Sequence, residues 1–227
     1  MSRLERSDLL VANELQAQLG GVIIGREIIV LGRTSSTNDA ILEIATQGSK
    51  EGLVIFAEHQ TAGRGQRGNR WESPAGKGLW FSILLRPNID LNKSPQLTTW
   101  AAGAISQVIR NEFSLNTTVK LPNDIQINGR KVAGVLVEMR AQEKAPHFAI
   151  AGIGINVNQS LQDFPTDLHG RAISLAMALD RQVDRQTFAI AVLRNLDESY
   201  RKAFASTLDP IVHASTFDES ISRSQSR

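Results

Sequence analysis

Two rhythms of apolar and polar residues run along this chain. Short apolar runs bounded by turn residues have the length and β-branched content of strands: Glu27 to Leu31, Gly52 to Glu58, Leu79 to Leu85, Thr117 to Lys120, Asp124 to Ile127, Lys131 to Arg140 and His147 to Val157. Apolar residues three and four apart predict helices elsewhere. Over 4–19, Leu4, Leu9, Val11, Leu15 and Leu19 share a face ahead of Gly20-Gly21. After the hydroxyl-rich Thr34-Ser35-Ser36-Thr37 comes Ala40, Ile41, Ile44 and Ala45, and over 96–113 the core face carries Leu97, Trp100, Ala101, Ala104, Ile105, Val108 and Ile109. Two more helices are expected over 171–179 and 186–204, the latter with Phe188, Ile190, Leu193, Leu196 and Tyr200 inward. Asn128-Gly129, between two strand patterns, is the strongest short hairpin signal.

Strands interleaved with helices and at least one antiparallel hairpin make the fold class α+β: a mixed, largely antiparallel sheet with helices packed mainly on one face. The expected organisation is an N-terminal helix and lead-in over 1–26, one main domain over 27–207, and a tail over 208–227 whose Ser, Arg and Gln content predicts disorder.

Composition narrows the function classes. With 227 residues, 41% of them hydrophobic, the chain can bury a full core. The formal charge of +2 does not demand a nucleic-acid partner, although a local anion site is allowed. The absence of cysteine excludes disulfides, thiolate zinc sites and a cysteine nucleophile, and fits a reducing compartment. The first 20 residues carry charges where a signal peptide needs an apolar run, and no stretch reaches membrane-spanning length, so the expectation is a cytoplasmic protein.

The most unusual chemistry lies between Gln60 and Trp71, where Gly63, Gly65 and Gly68 alternate with Arg64, Arg67 and Arg70 and no acid intervenes. Gly63-Arg64-Gly65-Gln66-Arg67-Gly68 follows a strand and matches a dinucleotide fingerprint. That fingerprint must open a helix, and Pro74 and Gly76 prevent one. Gly76-Lys77 is not a phosphate-binding Walker loop either, since Trp71 stands where glycine is required. What remains is a Gly/Arg loop whose guanidiniums can fork onto phosphate; a solvated surface loop or an RG-type nucleic-acid contact stays open.

A second constellation pairs Lys120-Leu121-Pro122-Asn123-Asp124 with Gly129-Arg130-Lys131-Val132-Ala133-Gly134. A two-residue turn at Asn128-Gly129 sets Gln126 opposite Lys131 and Asp124 opposite Ala133, so Asp124 and Lys131 become diagonal neighbours on one face. They form either a structural ion pair or part of a site. Ser36 or Thr37 reads as a helix N-cap, and the same helix end is equally suited to hold a polar or anionic ligand group. The glycines inside His147 to Val157 mark a close approach. The four histidines lack metal-ligand spacing.

Taken in order, Ser36-Thr37-Asn38, Gln60 to Trp71, Lys120 to Asp124, Gly129 to Glu138 and Gly152-Ile153-Gly154-Ile155-Asn156-Val157-Asn158 resemble the catalytic domain of biotin protein ligases, over roughly residues 34–180. The resemblance implies a fold like that of class II aminoacyl-tRNA synthetases and biotin ligases. It also implies formation of biotinyl-5′-AMP from biotin and ATP with magnesium, then transfer to a lysine of a biotin carboxyl carrier protein. By the same resemblance Ser36, Thr37, Asn38 and Gln60 would hold biotin, with Gly63, Arg64, Gly65 and Gln66 in the loop closing over it. Lys131 would be catalytic, touching the biotin carboxylate and α-phosphate, with Arg64 and Arg67 assisting. Arg67, Arg70, Lys120, Asn123, Asp124 and Asn156 would face ATP, and magnesium, held by no protein cluster of its own, would lie near Asp124.

Three features depart from the family pattern. Leu121 stands where Trp is usual, Gln66 occupies a position where several members have Arg, and the sequence stops where many continue into a small β-barrel domain. The lack of an N-terminal helix-turn-helix leads to the expectation of no DNA binding. No membrane partner is expected, and a homodimer is possible. A lipoate ligase is the neighbouring alternative.

Overall fold

The computed structural model describes residues 8–20, 23–141 and 147–204. Its elements are α1 (Ala12–Ala17), β1 (Glu27–Leu31), α2 (Thr37–Ala45), β2 (Leu53–Ala57), β3 (Gly78–Leu85), α3 (Ser94–Phe113), β4 (Thr117–Lys120), β5 (Asp124–Ile127), β6 (Arg130–Arg140), β7 (Phe148–Asn156), α4 (Leu175–Leu179) and α5 (Arg185–Phe204). The strands form one seven-stranded sheet in the order β1-β2-β3-β7-β6-β5-β4. Only β1 and β2 run parallel; every other neighbouring pair is antiparallel. The expected mixed, largely antiparallel sheet is therefore present.

Central position explains composition. β3 and β7 are buried along their whole length, which is why both read as continuous apolar runs rather than alternating ones. One face of the sheet packs on α3 and α5 through a cluster that includes Phe81, Ile83, Ile105, Ile109, Ile153, Phe188 and Leu193. The other face is covered by α2 through a smaller cluster of Ile41, Ala45, Leu53, Ile55, Leu84, Phe148 and Ile150. Helices thus lie mainly on one face, with α2 alone opposite.

Four details differ from the pattern-based expectation. The N-terminal helix is only Ala12–Ala17; Leu9 and Val11 lie ahead of it, exposed at 55% and 43%. The lead-in belongs to the main core, because Leu15, Leu19 and Ile24 are buried in it. The helix expected over 171–179 shrinks to Leu175–Leu179, since the chain at 171–173 instead pairs with Lys131: Lys131 N donates to Arg171 O at 2.7 Å and Ile173 N to Lys131 O at 3.0 Å. Finally, Asp124 sits opposite Gly134 rather than Ala133. A bulge between Ile125 and Gln126 leaves Val132 unmatched, and the Asn128-Gly129 turn, with φ of 49° and 75°, is otherwise the two-residue hairpin expected. The tail over 208–227 and Leu4 lie outside the described residues.

Candidate active site

Where β7 emerges from under α2, its residues on that face shrink from Phe148 and Ile150 to Gly152 and Gly154, and a cleft opens above them. The glycines are occupied by neighbours rather than by ligand space alone. A Cβ on Gly152 would stand 2.2 Å from Asn38 Oδ1, and one on Gly154 would stand 2.4 Å from the Trp71 ring. The close approach anticipated from glycine in a strand is thus made by two side chains of this protein.

The helix end at α2 is built by tertiary contacts. Ser36 occupies the N-cap position but its hydroxyl makes no capping bond; Gln60 Oε1 caps from another segment, accepting from Thr37 N at 2.8 Å and Thr37 Oγ1 at 3.1 Å. Gln60 Nε2 donates to Ser73 Oγ at 2.9 Å. Behind them lies Ser82, completely buried on β3, with its hydroxyl 2.6 Å from Asn38 Oδ1 and 2.8 Å from Thr37 Oγ1. Because Asn38 Oδ1 can only accept, Ser82 donates to it, and the Asn38 amide nitrogen turns to Glu138 Oε2 at 2.8 Å. Ser36, Thr37, Asn38 and Gln60 all line the cleft.

The Gly/Arg loop is folded over this cleft. Trp71 N donates to Gly63 O at 2.9 Å and Gly65 N to Asn69 O at 2.7 Å, with a tight turn at 66–68 in which Arg67 takes φ 57°. Arg64 reaches across to Asp39 at 2.8 Å and to Glu138 at 2.9 Å, so the loop is latched to α2 and β6. Burial pushes the Glu138 carboxyl up, but the Asn38 amide, Arg64 and Arg140 outweigh it and leave the group below its ordinary value. Lys131 Nζ stands 2.6 Å from Asp124 Oδ1 and 5.1 Å from the centroid of Trp71, so its charge is held between a carboxylate and a π face.

Arg64, Gly65, Gln66, Asn123 and Lys131 join the cleft lining, and Gly63 is buried behind it. Lys120, Arg67 and Arg70 do not; all three are exposed, and Arg70 pairs with Glu72 at 3.1 Å. Asp124 reaches the site through Lys131. Asn156 is buried, its Nδ2 donating to Ile173 O at 3.1 Å and its Oδ1 accepting from Gln159 Nε2 at 3.0 Å, so its amide braces the 171–173 segment. Pattern reading passed over Asp39, Ser82 and Glu138. Glu138 was accessible in principle, since 134, 136 and 138 alternate onto one face of β6; Ser82 carried no signal, being one serine inside an apolar strand.

A cleft with an ordered amide and hydroxyl network, a latched Gly/Arg loop and a fixed lysine is equipped to hold a small polar molecule and stabilise developing negative charge beside it. The chain belongs to the biotin/lipoate A/B protein ligase family, whose model matches residues 30–156. Its relatives include the bifunctional ligase/repressor BirA of Bacillus subtilis, 38% identical over 208 residues that cover 92% of this chain and 64% of that protein. Another is the biotin--[acetyl-CoA-carboxylase] ligase of Mycobacterium tuberculosis, 32% identical over 192 residues, 81% of this chain and 68% of that one. The chain thus spans a little under two thirds of the Bacillus protein. Among solved structures, the biotin protein ligase from Aquifex aeolicus in complex with biotin and ATP aligns with a TM-score of 0.66 at 30% identity, over 77% of this chain and 70% of that one. Among the described residues no helix is long and apolar enough to cross a membrane.

Proposed function

We propose that this chain activates biotin with ATP to biotinyl-5′-AMP and transfers the biotinyl group to a lysine of a carrier protein. The observation that carries this reading is Lys131, whose ammonium is fixed by Asp124 and Trp71 in the cleft that Ser36, Thr37, Asn38 and Gln60 also line. In the first step the biotin carboxylate attacks the α-phosphorus of ATP and pyrophosphate leaves. In the second the carrier amine attacks the acyl carbon, loses a proton and expels AMP. The first step brings two anions together, so a positioned cation at the α-phosphoryl oxygens is the main requirement, and we assign it to Lys131.

Asn38 supports biotin as the acid. Ser82 takes the oxygen of its amide and Glu138 one of its two N–H groups, so the second N–H is the one left to donate to the ureido oxygen of biotin. Arg64, Gly65 and Gln66 would cover the adenylate and keep water from the anhydride. Asn123, whose Nδ2 donates to Val135 O at 3.1 Å, keeps its oxygen for the nucleotide side. Arg67, Arg70 and Lys120, all exposed, would contribute only toward phosphates projecting beyond the cleft. Magnesium would arrive with ATP and would neutralise phosphate charge near Asp124. The acceptor we propose is the biotin carboxyl carrier domain of acetyl-CoA carboxylase, met in the cytoplasm.

A nucleic-acid role is disfavoured for two of the three loop arginines, because Arg64 is engaged by two carboxylates and Arg70 by Glu72. The deciding experiment is acid-dependent exchange of labelled pyrophosphate into ATP. Exchange with biotin is expected; exchange with lipoate alone would transfer the assignment to lipoate ligation, and exchange with neither would remove the activity.

A further inference from the structure

A second polar centre lies in the interior, away from the residues assigned to substrate. Arg185, the first residue of α5, has a side chain with no exposed surface. Its guanidinium lies 2.9 Å from Glu58 Oε2, donates to Gly78 O at 3.0 Å, and reaches Asp8 through Oδ2 at 3.3 Å and through the Asp8 backbone oxygen. Burying a guanidinium is costly unless its forks are matched, and here they meet three separate segments of chain.

Two of those segments are the stems of the Gly/Arg loop. Glu58 follows β2 directly, where the loop leaves the sheet, and Gly78 opens β3, where the loop returns. The clasp is reinforced on both sides. Glu58 Oε1 accepts from Leu10 N at 2.8 Å, and Gly76 N donates to Glu58 O at 3.2 Å. On the return side Asn158 N donates to Lys77 O at 2.6 Å, while the Asn158 amide bonds both N and O of Val183, two residues before Arg185. Gln60, which caps α2, is two residues beyond Glu58, so the geometry of the clasp passes directly to the cleft.

We propose that Arg185 is a positioning residue: it clasps the two stems of the loop to each other and to the N-terminal segment at Asp8, and thereby sets the loop over the cleft. This rests on the ligase reading for its kinetic consequence, but its structural consequence stands without it. Lysine cannot replace the fork, since one ammonium cannot span both stems.

The test uses the full chain with Arg185→Lys, and with Arg185→Met combined with Glu58→Gln, which removes both buried charges together. The readouts are amide exchange with and without biotin, thermal unfolding, and biotin-dependent pyrophosphate exchange. In both variants the expected result is faster amide exchange at 60–77 with the strand amides of β3 and β7 unchanged. The KM for biotin should rise roughly ten- to a hundredfold as the loop is displaced, with kcat changed far less. Unchanged exchange at 60–77 in both variants overturns the proposal, as does equal loss of protection across loop and sheet, which would make Arg185 merely part of the core. If the parent protein shows no pyrophosphate exchange, the ligase reading fails while the amide pattern still decides the role of Arg185.

Discussion

On β7 the residues facing α3 and α5 are Ala149, Ala151, Ile153 and Ile155, while the other face runs Phe148, Ile150, Gly152 and Gly154. The first face closes the core; the second starts as core under α2 and then steps down to hydrogen so that Asn38 and Trp71 can lie against the backbone. The faces obey different physics. On the core face stability follows buried area and tolerates exchange of similar shapes. On the cleft face small additions move groups whose positions are set by hydrogen bonds to within tenths of an ångström, as between Ser82 and Asn38.

Adjacent positions on that strand give the sharpest test. Ile153→Ala is expected to cost about 2 to 5 kcal/mol of stability by leaving a cavity under α3 and α5, measured by denaturant unfolding, with biotin affinity unchanged while the protein is folded. Gly152→Ala is expected to do the reverse, weakening biotin binding by about tenfold or more as the new methyl displaces Asn38, by calorimetry, with a smaller loss of stability. If both variants lost stability and affinity alike, the division between the faces would be wrong.

Lys131→Ala should leave the fold intact at a modest cost of about 1 to 2 kcal/mol, because it leaves the buried Asp124 Oδ1 without its cation while the Asp124 side chain as a whole remains 26% exposed. Biotin-dependent pyrophosphate exchange should fall about 10²- to 10³-fold, the usual loss for one donor that acts mainly in the transition state. Normal exchange in that variant would strip Lys131 of its role.

Acid provides a finer probe of the cleft face. Glu138 has a folded pKa below its unfolded value of 4.5, so its contacts contribute stability that is complete above pH 4.5 and is lost as pH falls through the lower folded value. The Arg64 latch should therefore persist at pH 5 and open on further acidification, seen as faster exchange of loop amides near Arg64. Glu138→Gln should weaken the latch at neutral pH and flatten that acid dependence; an unchanged profile would mean the latch does not hold the loop. The smallest effect is reserved for Arg70→Ala. Its pair with Glu72 is exposed, so stability should change by less than about 0.5 kcal/mol in thermal unfolding.

How much of this was readable from residues alone depended on how local each signal was. The β4 to β6 hairpin strands, α3 and α5 were legible because period and turn chemistry act within a few residues. The N-terminal helix was expected to reach back past Ala12, but Leu9 and Val11 are exposed ahead of it, and apolar identity alone does not say that a side chain is buried. The bulge at Val132 was invisible, because alternation cannot show an unmatched residue whose side chain is as apolar as its neighbours. Asn156 was placed toward ATP by the family resemblance alone; its hydrogen bonds to Ile173 O and from Gln159 Nε2 are tertiary contacts that no local pattern announces.

The chain itself dictated the strands, the long helices, the Asn128-Gly129 turn, the family and the small set of residues with chemistry to offer, since all of these are written in spacing and short motifs. Only tertiary structure decided that Gln60 rather than Ser36 caps α2, that Ser82 and Glu138 orient Asn38, that Arg64 is latched, and that Arg185 gathers Asp8, Glu58 and Gly78. The physical reason is common to all four: each joins segments far apart in sequence, and a hydrogen bond between distant segments leaves no periodic trace in either of them.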